Sequence, residues 1–204
     1  MKVNERGSWS LQALHRISGT LLLQSTPSGG PGDKRVFGAL RSLADVVLVA
    51  AGTVRAEHYG PSTIPIAVVT RSANLDWQSP FFSDAKSRPI VLTVDDAPKD
   101  NLEHAAEVAD IVRAGTGSVD LGRAVAELGA RGFGHVLAEG GPTLNGQLAL
   151  AGLLDELCLT LSPNLVAGDA KRLLAGPPPP APMQLSLRSV LEDESYLFLR
   201  YRVA

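Results

Sequence analysis

Between residues 45 and 151, short runs of Val, Ile and Leu alternate with segments of helical periodicity. Such runs are too short for helices, and a strand buried on both faces reads as an unbroken apolar run. Residues 45–51 (Asp-Val-Val-Leu-Val-Ala-Ala), 65–70 (Pro-Ile-Ala-Val-Val-Thr), 89–94 (Pro-Ile-Val-Leu-Thr-Val), a shorter run at 107–112, and 135–139 (His-Val-Leu-Ala-Glu) therefore predict strands. A helix is predicted over 35–44, where Val36, Phe37, Leu40, Leu43 and Ala44 share helical spacing and Asp33 serves as cap. Further helices are predicted over 121–130, with Leu121, Val125 and Leu128 on one face, and over 142–151, between Pro142 and Gly152. This alternation predicts α/β architecture with a largely parallel, covered sheet.

The two ends of the chain read differently. Residues 155–163 predict a strand with Leu157, Leu159 and Leu161 on one face, and 184–191 with 196–203 predict an antiparallel hairpin around Glu192-Asp193-Glu194-Ser195. The sheet is therefore expected to be mixed. Pro177 to Pro180 predict a stiff connector. In residues 1–29, Trp9, Ala13, Leu14, Ile17 and Leu21 recur at helical spacing and no alternating strand stands out. That stretch is expected to be a divergent segment, helical or poorly ordered, ahead of a domain over 30–204.

Composition removes several classes. The formal charge is −2, without the basic excess that phosphate neutralisation needs, so no nucleic-acid partner is expected. No apolar run approaches the ~18–20 residues of a membrane span, and the first 30 residues lack the apolar stretch of a secretory signal. A cytoplasmic protein is expected. Cys158 is the only cysteine and lies mid-strand, which predicts a small packed residue. The four histidines, His15, His58, His104 and His135, show no metal-ligand spacing, so no metal is expected. Serine-hydrolase, P-loop and ordinary dinucleotide-fold motifs are all absent.

Two glycine-bearing strand ends remain: Ala51-Gly52-Thr53-Val54-Arg55-Ala56-Glu57 and Glu139-Gly140-Gly141-Pro142-Thr143-Leu144-Asn145-Gly146. Glycine admits a ligand close to the backbone. A helix start offers unpaired N–H groups and about half a positive charge, which suits a phosphate. In open α/β sheets, ligands bind at the carboxyl ends of strands. Tight turns alone would also explain the glycines, but a carboxylate at each end favours a site.

The second block, continuing through Ala151-Gly152-Leu153-Leu154-Asp155-Glu156-Leu157, resembles the signature of the riboflavin-biosynthesis pyrimidine reductases, a family with the dihydrofolate reductase fold. Residues 40–45 and 48–57 are similar to the family's other block, and the resemblance spans 28–204. It implies a three-layer α/β/α fold with a mixed, mostly parallel central sheet and a C-terminal antiparallel hairpin. It also implies an NADPH-dependent oxidoreductase, commonly a homodimer, that reduces the ribosyl side chain of 5-amino-6-(5-phosphoribosylamino)uracil. By that resemblance Arg41 binds substrate and Glu139 is the substrate-binding and catalytic carboxylate. Thr53, Glu57 and Ser72 lie at the cofactor, with Gly140, Gly141, Pro142, Thr143 and Leu144 wrapped around it. Thr70 and Arg71 are added on chemical grounds, since a strand-end arginine suits the 2′-phosphate of NADPH.

Three departures stand out. The family's opening strand ends in Ser-x-Asp-Gly; here only Val3-Asn4 resembles its start, so a central strand is expected to be missing, altered or supplied by unexpected sequence. The arginine common shortly after the acidic position is absent, replaced by His58-Tyr59-Gly60-Pro61. Ala50 stands where glycine is common. Two alternatives therefore stay open: a reductase of a pterin such as dihydrofolate, and a non-catalytic NADPH-binding paralogue.

Overall fold

The computed structural model describes residues 20–23, 30–165 and 172–204. In chain order the elements are β1 (Thr20–Leu23), α1 (Pro31–Leu43), β2 (Val46–Ala50), α2 (Ala51–Glu57), β3 (Ile66–Val69), α3 (Pro80–Ser83), β4 (Ile90–Thr93) and α4 (Lys99–Val108). There follow β5 (Asp110–Arg113), α5 (Leu121–Ala130), β6 (His135–Ala138), α6 (Pro142–Leu150), β7 (Glu156–Leu161), β8 (Leu185–Asp193) and β9 (Tyr196–Val203).

The apolar runs form the centre. Val46, Val47, Leu48 and Val49 are each fully buried, and their alternation divides the core in two. Val46 and Leu48 pack with Leu121, Ala124 and Leu128 of α5 and Leu144 and Leu148 of α6. Val47 and Val49 pack with Val54, Phe81 and Phe82, with Leu40 of α1 against them. Burying each such side chain contributes about 1.5–3 kcal/mol. Both faces of the sheet are thus covered, which gives three layers.

Six strands pair in the order β1-β6-β2-β3-β4-β5, every recorded pairing parallel. A second sheet, β7-β9-β8, is antiparallel, and β7 lies beside β1. The expected parallel centre and C-terminal hairpin are both present, with their ladders resolved into two sheets. The hairpin turns on Glu194 and Ser195, both at positive φ (51° and 66°), as the twist of a two-residue turn requires.

Several local expectations change. The N-terminal stretch contains a strand after all: Thr20–Leu23 pairs with β6, Thr20 opposite His135 and Leu23 opposite Ala138. A run of Leu-Leu-Leu carries no period of its own, so the sheet decides its state. Residues 1–19 and 24–29 lie outside the described residues, and with them the helical spacing of Trp9 through Ile17. The strand expected at 107–112 is shifted, because Glu107 and Val108 close α4 and β5 begins at Asp110. Helix α4 escapes a periodicity argument because it buries only Leu102 and Ala105. Asp33 does not cap α1; Gly30 is the N-cap, and the buried Asp33 carboxylate accepts a hydrogen bond from the Thr160 hydroxyl of β7 at 2.7 Å.

Candidate active site

Strand β2 lies between β3, which follows it in sequence, and β6, which comes some 90 residues later. The strand order therefore reverses between β2 and β6, and in open α/β sheets ligands bind in the crevice outside the carboxyl ends of the strands at such a point. Both glycine-bearing segments leave the sheet there. The Ala50 N–H donates to the Gly140 carbonyl at 2.6 Å, and the Glu139 N–H to the Leu48 carbonyl at 2.9 Å.

The turn after β6 needs both its glycines. Gly140 has φ +84°, in the left-handed region. A Cβ on Gly141 would stand 3.0 Å from Thr53 Oγ1, so α2 and the start of α6 approach each other at a point that leaves no room for a side chain. Gly141 is the N-cap of α6 and supplies no side-chain cap. The N–H groups of Thr143 and Leu144 in the first turn are thus of the type a helix leaves for an anion. The Leu144 side chain is 2% exposed and belongs to the core, so only its backbone can face a ligand.

The carboxylate side of the crevice is more strongly bonded. Arg41 on α1 donates from Nε to Glu139 Oε1 at 2.7 Å and from Nη2 to Oε2 at 2.6 Å. The Tyr59 hydroxyl donates to the same Oε2 at 2.6 Å. The Glu139 side chain is 4% exposed and that of Arg41 30%. The guanidinium carbon lies 4.5 Å from the Phe37 ring centroid and 5.8 Å from that of Tyr59. Burial opposes the charge on Arg41, but the hydrogen bonds and charge of Glu139 outweigh it and raise its pKa. Tyr59 titrates far above the ordinary tyrosine range, first because it is buried and then because Glu139 beside it disfavours a phenolate. Its hydroxyl is therefore a permanent donor at neutral pH.

Tyr59 is the residue the sequence did not single out. The His58-Tyr59-Gly60-Pro61 stretch stands out in sequence only for lacking an arginine. His58 ends α2 in the left-handed region (φ 47°), where the chain changes direction. The Tyr59 ring then packs edge-on against Phe81, with centroids 6.3 Å apart.

Thr70, Arg71 and Ser72 follow β3, the next strand along from β2. Thr70 is buried and its hydroxyl accepts the Ala73 N–H at 3.1 Å, while Arg71 and Ser72 are exposed. Glu57, at the end of α2, is also exposed. Structure thus joins Arg41 to Glu139 and Thr53 to Gly141, and sets Thr70–Ser72 at the neighbouring strand end. Cys158 stays apart: burial lifts its thiol to about 11, with Arg200 partly offsetting and Glu156 adding, so it is a poor nucleophile.

A family model described as the RibD C-terminal domain matches residues 18–198. Two curated relatives bear the name 2,5-diamino-6-ribosylamino-4(3H)-pyrimidinone 5′-phosphate reductase. The one from Methanothermobacter thermautotrophicus is 30% identical over 164 residues, 74% of this chain and 75% of its own. The one from Aquifex aeolicus is 27% identical over 145 residues, 67% of this chain, and the match spans 65% of that relative's length. Among solved structures, a pyrimidine reductase-like protein from Corynebacterium diphtheriae superposes with a TM-score of 0.81 at 23% identity, covering 98% of this chain and 96% of that one. The expected fold, that of dihydrofolate reductase and its relatives, is the one observed.

Proposed function

The chain belongs to the RibD C-terminal domain family, and from that premise we propose that it is an NADPH-dependent reductase of the ribosyl side chain of 5-amino-6-(5-phosphoribosylamino)uracil. The observation that carries this reading is the meeting of Arg41–Glu139 with the Thr53–Gly141 contact at the carboxyl ends of β2 and β6.

The residues present suit a nicotinamide dinucleotide. The close approach of Thr53 to Gly141 and the uncapped start of α6 form a backbone-lined cradle for a pyrophosphate. Thr53, Gly140, Gly141, Pro142, Thr143 and Leu144 line it in this proposal, with Glu57 beside it. Thr70, Arg71 and Ser72 take the adenosine end, where the exposed Arg71 guanidinium meets the 2′-phosphate. When bound, NADPH supplies the hydride that converts the ribosyl side chain to a ribityl one. Arg41 and Glu139 form the substrate side, with the Arg41 guanidinium as the contact for the sugar phosphate. The names of the two curated relatives favour a second reading of the substrate, the diaminopyrimidinone that still carries the amino group the uracil has lost.

A homodimer fits the C-terminal sheet. Its register places Leu157, Leu159, Leu161, Leu185, Leu187, Val190, Leu197, Leu199, Tyr201 and Val203 on one face, with Glu192 at its edge opposite Leu197. The opposite face meets α1 through Phe198, Thr160 and the Arg35–Asp193 pair. Leu187 is 53% exposed and Val190 46%, so the outward face is largely apolar and uncovered among the described residues. Two copies could pair such a face about a two-fold axis, the isologous arrangement commonest among homodimers. No described helix is long and apolar enough to cross a membrane, and a cytoplasmic setting fits a reductase of this type.

The test is NADPH oxidation measured side by side with the phosphoribosylaminouracil, the diaminopyrimidinone and dihydrofolate. Turnover of a phosphoribosylamino pyrimidine and none of dihydrofolate is expected. NADPH binding without oxidation by any of the three would overturn the reading in favour of a non-catalytic paralogue.

A further inference from the structure

Glu139 is in an unusual position for a group meant to touch substrate. Its two oxygens accept three hydrogen bonds, from Arg41 Nε, Arg41 Nη2 and the Tyr59 hydroxyl, and its side chain is 4% exposed. Arg41 is the reverse. Two of its five N–H groups go to Glu139, and its side chain is 30% exposed, so its other donors are reachable. The guanidinium plane is held against the Phe37 ring, and the Tyr59 ring is in turn held by Phe81. Three separate elements therefore converge on one partly exposed cation: α1 carries it, the end of β6 carries its counter-charge, and the turn after α2 carries the donor that fixes the counter-charge.

We propose that Tyr59 is a positioning residue that acts through Glu139, its hydroxyl fixing the carboxylate that in turn fixes the Arg41 guanidinium as the contact for an anionic group of the substrate. This deepens the reductase reading and rests on it for the nature of the substrate. The two Arg41 bonds fix the carboxylate and guanidinium relative to each other; the third bond, from a different element, ties that pair to the turn after α2. Tyr59 is neutral and adds no charge to the Arg41–Glu139 pair, so its effect on anion binding lies in how Arg41 is aimed. The charged or titratable groups facing Glu139 are Arg41 and Tyr59, with Glu57 acting on Tyr59 from α2.

The test is Tyr59→Phe, which keeps the ring and its packing on Phe81 and removes only the donor. Ribose 5-phosphate serves as probe, by calorimetry, with NADPH binding measured in parallel. The wild type binds the probe, Tyr59→Phe binds it about three- to thirtyfold more weakly, and NADPH affinity stays within about twofold. Replacing Tyr59 with 3-fluorotyrosine, which retains ring and hydroxyl, restores binding. Probe binding unchanged in Tyr59→Phe, or absent in the wild type, overturns the proposal. Wild-type protein that binds the probe but oxidises NADPH with neither pyrimidine overturns the reductase reading and leaves the Tyr59 relay standing. Turnover by the wild type together with an unaltered Tyr59→Phe does the opposite.

Discussion

Arg41 and Glu139 are 98 residues apart in the chain and meet through two parallel hydrogen bonds of 2.7 and 2.6 Å. The pair joins α1, on one layer, to the carboxyl end of β6 in the sheet. Such fork-to-fork geometry is the strong form of a charged hydrogen bond. It also places a charge pair at the rim of the crevice in which the glycine-bearing turns lie.

Replacing Glu139 with Gln keeps the shape and removes the charge. Arg41 then lacks its counter-charge while remaining largely covered. Stability is expected to fall by about 1–3 kcal/mol, a figure reduced from fully buried pairs because Arg41 is partly solvated. Turnover should fall about ten- to a hundredfold while NADPH binding changes little. Urea melts and steady-state kinetics check this; full turnover in Glu139→Gln removes Glu139 from the site.

Gly141→Ala puts a methyl group 3.0 Å from Thr53 Oγ1. The backbone there is extended (φ −74°, ψ −173°), so crowding and not conformation is the cost. A loss of about 1–2 kcal/mol is expected. In the Thr53→Ala background the same change should cost clearly less, giving a coupling of about 0.5 kcal/mol or more. Strict additivity in denaturant melts would count against the contact.

If Arg71 meets the 2′-phosphate, NADPH raises Tm well above the value NADH gives. Arg71→Ala should cut NADPH affinity about ten- to a hundredfold and leave the NADH shift as it was. Equal thermal shifts with the two nucleotides would remove Arg71 from the cofactor side.

Leu187, on the edge strand β8, belongs to the apolar face and is 53% exposed. Leu187→Glu would bury a carboxylate in the proposed dimer interface, weakening association about a hundredfold or more. Sedimentation velocity should show the wild type as a dimer and the variant as a monomer. A monomeric wild type would mean that the face has another occupant.

Tyr59 gives a pH signature. Its folded-state pKa is raised above the ordinary value of about 10, by burial and then by Glu139. Its contribution to stability is therefore full below about pH 10 and is lost as pH climbs beyond it. Wild-type stability should decline on the alkaline side more steeply than that of Tyr59→Phe, measured by denaturant melts across that range.

Much of the scaffold was readable because its signals are local. Val46 to Val49 announce a strand covered on both faces, and Pro142 with Gly152 bracket α6 almost to the residue. Glycines at 140 and 141 marked the right turn, because a left-handed backbone and a close approach each leave little choice of residue. Helix α4 was missed because its two buried residues set no period, and Thr20–Leu23 because three consecutive leucines fit either state. Asp33 looked like a cap from its place in the chain, while its partner, Thr160, lies 127 residues away.

By itself the sequence determined most of the strand–helix alternation, the two glycine-bearing turns and the near-neutral formal charge of −2, since periodicity, turn chemistry and composition are read from the chain directly. Tertiary structure alone decided that Tyr59 reaches Glu139 from 80 positions away and that Leu161, Leu185, Leu187 and Leu197 point outward. A strand has two faces and its sequence only sorts residues between them. Which face is covered, and which side chains meet across strand ends, depends on what the fold packs against each.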